Sequence, residues 1–214
     1  MPLKVNEIFF SIQGESTFAG LACIFIRLSG CNLRCTYCDT RYALEEGREL
    51  SISQILGEIS PFACSLVEIT GGEPLLQAET PLLIDRLILE GYKVLLETNG
   101  SIDIRELNPN CIKILDVKCP SSGEHTKNRL DNLNGLRPED QIKFVIADYQ
   151  DYRFAKKITR RIHPSFPRQQ ILFSPVTERL PADQLAEWII ADRLGIRLQL
   201  QLHKIIWPHA DRGV

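Results

Sequence analysis

Three cysteines crowd into Cys31-Asn32-Leu33-Arg34-Cys35-Thr36-Tyr37-Cys38, directly after an apolar run. A structural zinc site takes four protein ligands, commonly as two paired groups, and no second Cys or Cys/His pair follows. A cluster used only for electron transfer takes four thiolates, so that role would need a distant fourth such as Cys119. Three thiolates on a four-iron cluster leave one iron open to chelate a cofactor or substrate. Cys23, Cys64 and Cys111 stand singly among apolar neighbours and read as small buried hydrophobes. The odd total of seven cysteines argues against a complete disulfide framework.

Other chemistry-bearing residues follow strand-like runs. Leu66-Thr70 leads into Gly71-Gly72-Glu73-Pro74, where the glycines let backbone approach closely what a Cβ would exclude. Later runs end in Glu97-Thr98-Asn99-Gly100, in Asp116 through Ser122, in Ser174-Pro175-Val176 and in His203-Lys204. Each is also ordinary strand-to-loop punctuation, but at successive strand ends of a parallel barrel they would face one mouth. Near the start, Gln13 and Glu15 offer an amide and acceptors suited to a guanidine-like ring edge, and Arg27 can hold a carboxylate by two parallel hydrogen bonds. The alternatives are a simple turn at Gln13-Gly14 and an Arg27 that balances Glu68 across strands.

The elements positioning these residues are strands at 22–28, 66–70, 94–98, 112–117, 142–147, 170–173 and 196–202, with an extended segment near Val5–Phe10 pairing with the first. Ser51 and Gln54 predict a capping box, Thr80-Pro81 opens a second helix that Gly91 stops, and Pro181 starts a third with Leu185, Trp188 and Ile189 inside. Only a short helix fits between Thr98 and Ile112, and Ser121–Pro138 reads as irregular. The expected fold is α/β, a partial, open TIM-type barrel of about six parallel strands with an incomplete outer helical layer, in one domain over residues 1–214.

The Cys-x3-Cys-x2-Cys loop, with Tyr37 before its last cysteine, and the Gly-Gly-Glu-Pro motif resemble those of the radical S-adenosylmethionine superfamily. The Gln-Gly-Glu segment, the Cys38-Asp39-Thr40 continuation and the ending His203-Lys204-Ile205-Ile206-Trp207-Pro208 narrow the resemblance to its 7-carboxy-7-deazaguanine synthase family. That resemblance implies ring contraction of 6-carboxy-5,6,7,8-tetrahydropterin to 7-carboxy-7-deazaguanine with loss of ammonia, on the way to queuosine and other deazapurines. It implies a 4Fe-4S cluster on Cys31, Cys35 and Cys38, S-adenosylmethionine, and Mg²⁺ with Thr40 as its one protein ligand. Ile12, Gln13, Gly14, Glu15, Arg27, Thr70 and His203 go to the substrate. Tyr37, Cys38, Asp39, Gly72, Glu73, Ser121, Ser174, Pro175 and Val176 go to S-adenosylmethionine. Ser16 stands where many relatives have glycine. The tail Pro208–Val214 extends past the point where some relatives stop, which removes a terminal carboxylate from the substrate's reach and leaves Asp211 as a candidate replacement. A glycyl-radical activating enzyme shares the cluster loop but has no need of the Gln13, Glu15 and Arg27 set.

Composition sets the remaining expectations. A net charge of −2 without a basic tract gives no basis for nucleic-acid binding. No apolar run approaches the roughly 18 residues of a membrane span, and the start lacks a secretory pattern, so the expected setting is the cytoplasm. The expected partners are a small pterin substrate, a reductant such as a flavodoxin or ferredoxin, and a second copy of the chain, since an incomplete helical layer leaves apolar wall to cover.

Overall fold

The computed structural model describes residues 1–210 and 212–214, so the candidate Asp211 lies outside the described residues. β1 (Leu3–Ile12) runs antiparallel to β2 (Ala22–Leu28), in a register that sets Glu7 opposite Arg27. β3 (Arg48–Leu50) pairs only with Leu3–Val5 of β1. From β2 the sheet continues in parallel through β4 (Leu66–Gly71), β5 (Lys93–Thr98), β6 (Ile112–Asp116), β7 (Gln141–Ile146) and β8 (Ile171–Pro175) to β9 (Arg197–Leu198). The order β3-β1-β2-β4-β5-β6-β7-β8-β9 leaves the sheet open, because β9 does not pair back to β1 or β3.

The helices form where the sequence supplies ends for them. α1 (Ile52–Ile59) carries the predicted capping box, with Gln54 N–H donating to Ser51 Oγ and Ser51 N–H to Gln54 Oε1. α2 (Thr80–Leu89) has Pro81 in its first turn and is followed by Gly91 at φ +88°, a left-handed conformation that suits glycine. α3 (Tyr149–Thr159) is absent from the sequence reading. Its polar surface dilutes the inner stripe of Tyr152, Ala155 and Ile158, while Asp148 caps it by accepting from Asp151 N–H. α4 (Ala182–Ala191) buries Leu185 and Ile189. Only 3-10 turns cover 120–135, so the helical layer is incomplete as expected.

The last predicted strand, 196–202, shortens to the two residues of β9. Leu202 then donates its N–H to Gly14 O at 3.0 Å, turning the chain across the open side into α5 (Leu202–Ile206). His203 and Lys204 therefore sit on a helix and not at a strand end. No described helix is long and apolar enough to cross a membrane.

Side chains alternate across each strand, so one set faces the helices and the other faces the barrel interior. The helix-facing set, including Ile24, Ile26, Val67, Ile69, Val94, Leu96, Phe144 and Phe173, forms the main core. Inside the barrel, Cys23, Phe25, Leu66, Leu95 and Ile114 close the floor. One step further along the same faces come Arg27, Glu68, Glu97 and Asp116. The interior changes from apolar to charged toward the strands' C-terminal ends, which is where the predicted site residues gather.

Candidate active site

A cavity of about 510 Å³ opens at those ends, within the range of small-molecule sites. Cys31, Cys35 and Cys38 line one part of it. Their loop is tied from behind: Thr36 donates its N–H to Ser122 O at 3.0 Å and its hydroxyl to Ser121 O at 2.7 Å, and Arg34 N–H donates to Glu124 Oε1 at 2.8 Å. Leu33 anchors the loop by burial, and the Tyr37 hydroxyl reaches Val145 O at 3.3 Å. Among the described residues no trio of His, Cys, Asp or Glu converges tightly enough for a single ion. Burial raises the Cys31 thiol and pushes Cys35 up to about 11, the latter opposed by Lys118.

The glycine motif abuts this loop. A Cβ on Gly72 would stand 2.0 Å from Gly30 O and 2.8 Å from Cys31 Cβ, and one on Gly71, at φ +129°, 2.1 Å from Leu28 O. The close approach these glycines permit is thus first of all to the backbone leading into the cysteines. Glu73 N–H donates to Gly30 O at 2.8 Å. Its carboxylate, fully buried, accepts from Thr98 Oγ1 at 2.8 Å, Asn99 N–H at 2.7 Å and Leu75 N–H at 3.0 Å. Glu73 therefore ties the β4 and β5 ends together, and its side chain is not in the cavity lining.

The opposite part of the cavity is highly charged. Lys143 donates to Glu15 Oε2 at 2.7 Å and to Glu97 Oε1, and lies 3.9 Å from Asp116 Oδ2. Burial works against its ammonium, but these carboxylates hold its pKa well above the usual lysine value. Burial alone would raise Glu15; Lys143 and the hydrogen bond from Gln201 Nε2 at 2.8 Å override it and bring Glu15 to about 2. Burial raises Glu97 despite Lys143, with Glu15 and Asp116 adding repulsion. Lys118 pairs with Asp116 at 2.8 Å. Arg27 donates its Nε–H to Glu7 Oε1 at 2.7 Å, which also accepts from the Tyr42 hydroxyl at 3.0 Å. The partner of Arg27 is thus Glu7, not Glu68, and both Nη groups make no hydrogen bond among the described residues. His203 sits against Gly14, where a Cβ would lie 2.3 Å from its Nδ1, and burial lowers its pKa.

Of the predicted residues, Ile12, Gln13, Gly14, Glu15, Arg27, Thr70 and His203 line the cavity, as do Tyr37, Cys38, Asp39, Thr40, Gly72 and Val176. Gln13 contributes less than expected. Its backbone pairs with Leu21 and Gly20, its Oε1 accepts from Glu15 N–H and its Nε2 donates to Glu68. Ser121, Ser174 and Pro175 are not in the lining. Ser121 donates its hydroxyl to Asp148 Oδ2 at 2.9 Å at the start of α3, and β8 runs through Pro175, so only Val176 emerges. The tail does return to the site, with Val214 in the lining, contrary to the expectation that it passes beyond reach. Ser16 stands at φ +66°, which explains why glycine suits that position. The sequence reading missed Lys143, Gln201 and Glu68. The first and third are lone polar residues at interior positions of apolar strands, a signal that alternation exposes once the inner face is known.

An open, mostly parallel barrel with three thiols beside a glycine loop is the architecture of the radical SAM superfamily, whose sequence model matches residues 25–117. Relatives narrow this. The chain is 42% identical to the 7-carboxy-7-deazaguanine synthase of Koribacter versatilis, over 99% of this chain and 100% of that one. It is 44% identical to that of Chlorobaculum tepidum, over 100% and 98%. The crystal structure of QueE from Escherichia coli superposes with a TM-score of 0.78 at 25% identity, covering 94% of each chain. The chain belongs to the 7-carboxy-7-deazaguanine synthase family.

Proposed function

We infer that this chain carries out its family's reaction, the ring contraction of 6-carboxy-5,6,7,8-tetrahydropterin to 7-carboxy-7-deazaguanine with release of ammonia, in deazapurine biosynthesis. The observation that carries the reading is one cavity with three cysteines in one part and a cation with two unengaged Nη groups, Arg27, in another. The cysteines would hold the 4Fe-4S cluster, with S-adenosylmethionine between it and the pterin against Tyr37, Asp39, Gly72 and Val176. When bound, these groups supply hydrogen abstraction by a radical route.

The chain's own residues bind, orient and exclude. Glu7 holds the Nε side of Arg27, leaving the Nη pair to grip the substrate carboxylate end-on. Glu15, kept ionised and immobile by Lys143 and Gln201, and the neutral His203 border the ring. Thr40 fits the Mg²⁺ role because its hydroxyl does not cap the following turn, and magnesium retains oxygens from water and substrate. The chain acts as one domain, supported by one sheet running from Leu3 to Leu198. A homodimer is supported by exposed Phe10, stacked on Phe62 at 5.6 Å, on β1 beyond its pairing with β3. Exposed Arg34 and Arg41 by the cysteine loop suit an acidic reductant of the flavodoxin or ferredoxin type, and cysteines that are all free suit the cytoplasm.

The test is anaerobic reconstitution with iron and sulfide, then reductant, Mg²⁺, S-adenosylmethionine and the pterin. A deazaguanine chromophore is expected. Cofactor cleavage without that product would overturn the substrate assignment.

A further inference from the structure

We propose that Glu68 is a further substrate-binding residue, reading a donor-acceptor edge of the pyrimidinone ring through its own carboxyl group, with Gln13 as its positioning residue. The assignment deepens the function proposed above and rests on it. Glu68 lies on the interior face of β4, two residues before Thr70, only 4% exposed yet part of the cavity lining. Its Oε2 accepts from Gln13 Nε2 at 2.5 Å. Gln13 is itself held by two backbone bonds and by Glu15 N–H, so it fixes the carboxyl in place. Oε1 makes no hydrogen bond among the described residues, and it is not among their fully enclosed, unpartnered atoms, so it opens to the cavity. A buried carboxyl oxygen left unpartnered beside a ligand cavity is costly to keep.

The state of the carboxyl determines what it recognises. Facing Glu68 are Cys23 from β2, Glu97 from β5, Glu15 from the β1 to β2 connection and Lys143 from β7. Burial raises its pKa, and repulsion from Glu97 and Glu15 adds to this; the Gln13 bond and Lys143 oppose, leaving it at about 8. A neutral carboxyl with Oε2 accepting from Gln13 carries its proton on Oε1. It therefore presents a donor beside an acceptor, complementary to the unprotonated ring nitrogen and the exocyclic amine of a 2-amino-pyrimidinone. The ionised form presents acceptors only and does not fit that edge.

Titration calorimetry of the pterin into anaerobic, unreduced holoenzyme with S-adenosylmethionine, from about pH 6.5 to about pH 9.5, tests this. Wild-type Kd should rise about tenfold through the upper half of that range, the size of one hydrogen bond lost from a buried pair. Glu68→Gln, which cannot ionise, should remove that inflection. Glu68→Val should weaken binding about tenfold near pH 7 and give a flat profile. Wild-type-like binding by Glu68→Val, or an inflection retained by Glu68→Gln, overturns the assignment and leaves the function standing. If the valine variant does not fold by circular dichroism, the glutamine profile decides. A wild type that binds no pterin at any pH removes the function and this assignment together.

Discussion

Replacing Lys143 with methionine keeps the stem of the side chain and removes the one cation shared by Glu15, Glu97 and Asp116. The ammonium is 6% exposed and sits 2.7 Å from Glu15 Oε2. Its loss leaves two carboxylates without their nearest countercharge in a buried site. Breaking a buried ion pair from one side costs about 3–5 kcal/mol, which for a chain of this length lowers the unfolding midpoint by about 6–20 °C. The effect should depend on pH. In the wild type Glu15 titrates near 2, below its ordinary 4.5, so its contribution is complete above 4.5 and is lost only as pH falls through about 2. Without Lys143, burial dominates and raises the carboxyl, so stability is greatest below the ordinary value and is lost as pH rises. The midpoint difference between variant and wild type, followed by circular dichroism on protein without cluster, should shrink from about pH 7.5 to about pH 5.5. A variant within about 1 kcal/mol of wild type at the higher pH, or a gap that does not close, would refute the electrostatic account of this site.

Gly72→Ala should lower bound iron after reconstitution, because its Cβ would meet Gly30 O at 2.0 Å and push on Cys31; iron assay and the cluster's absorbance check this, and full loading would contradict it. Arg27→Ala should weaken pterin binding by roughly 10- to 100-fold through loss of a charge-assisted pair while leaving iron content unchanged, and unchanged affinity would remove the carboxylate clamp.

What the sequence disclosed was local. The cysteine spacing, the glycine pair and the Ser51 to Gln54 capping box are set by neighbours a few residues apart, and all three stand where expected. Most strands were legible for a similar reason, as short apolar runs bounded by turns. What escaped depends on contacts across the chain. Lys143 sits inside the apolar run Ile142–Ala147, and only the barrel's closure shows that its side chain meets Glu15, far back in the sequence. The bracing bonds of Glu73 and Ser121 were not legible because a carboxylate or hydroxyl at a strand end can face the cavity or brace the wall. Thr98, Asn99 and Asp148 decide which. α3 was hidden by a surface so polar that its apolar stripe does not stand out.

The open side of the barrel is bridged by a seam: Leu202 N–H to Gly14 O, Gln201 Nε2 to Glu15 Oε1, and His203 lying on Gly14. Two hydrogen bonds, one ring-on-glycine contact and the Lys204–Asp39 ion pair at 3.5 Å do here what a full strand ladder does elsewhere. At about 1 kcal/mol net for the backbone bond and about 1.5–3 kcal/mol for the bond to ionised Glu15, parting them is a smaller perturbation than separating two central strands, which would unzip a cooperative array. The barrel is therefore a clasp and not a ring. Its hinge is the rigid sheet, its catch is fastened to the residue that holds Lys143, and unfastening it slackens the charged wall of the cavity.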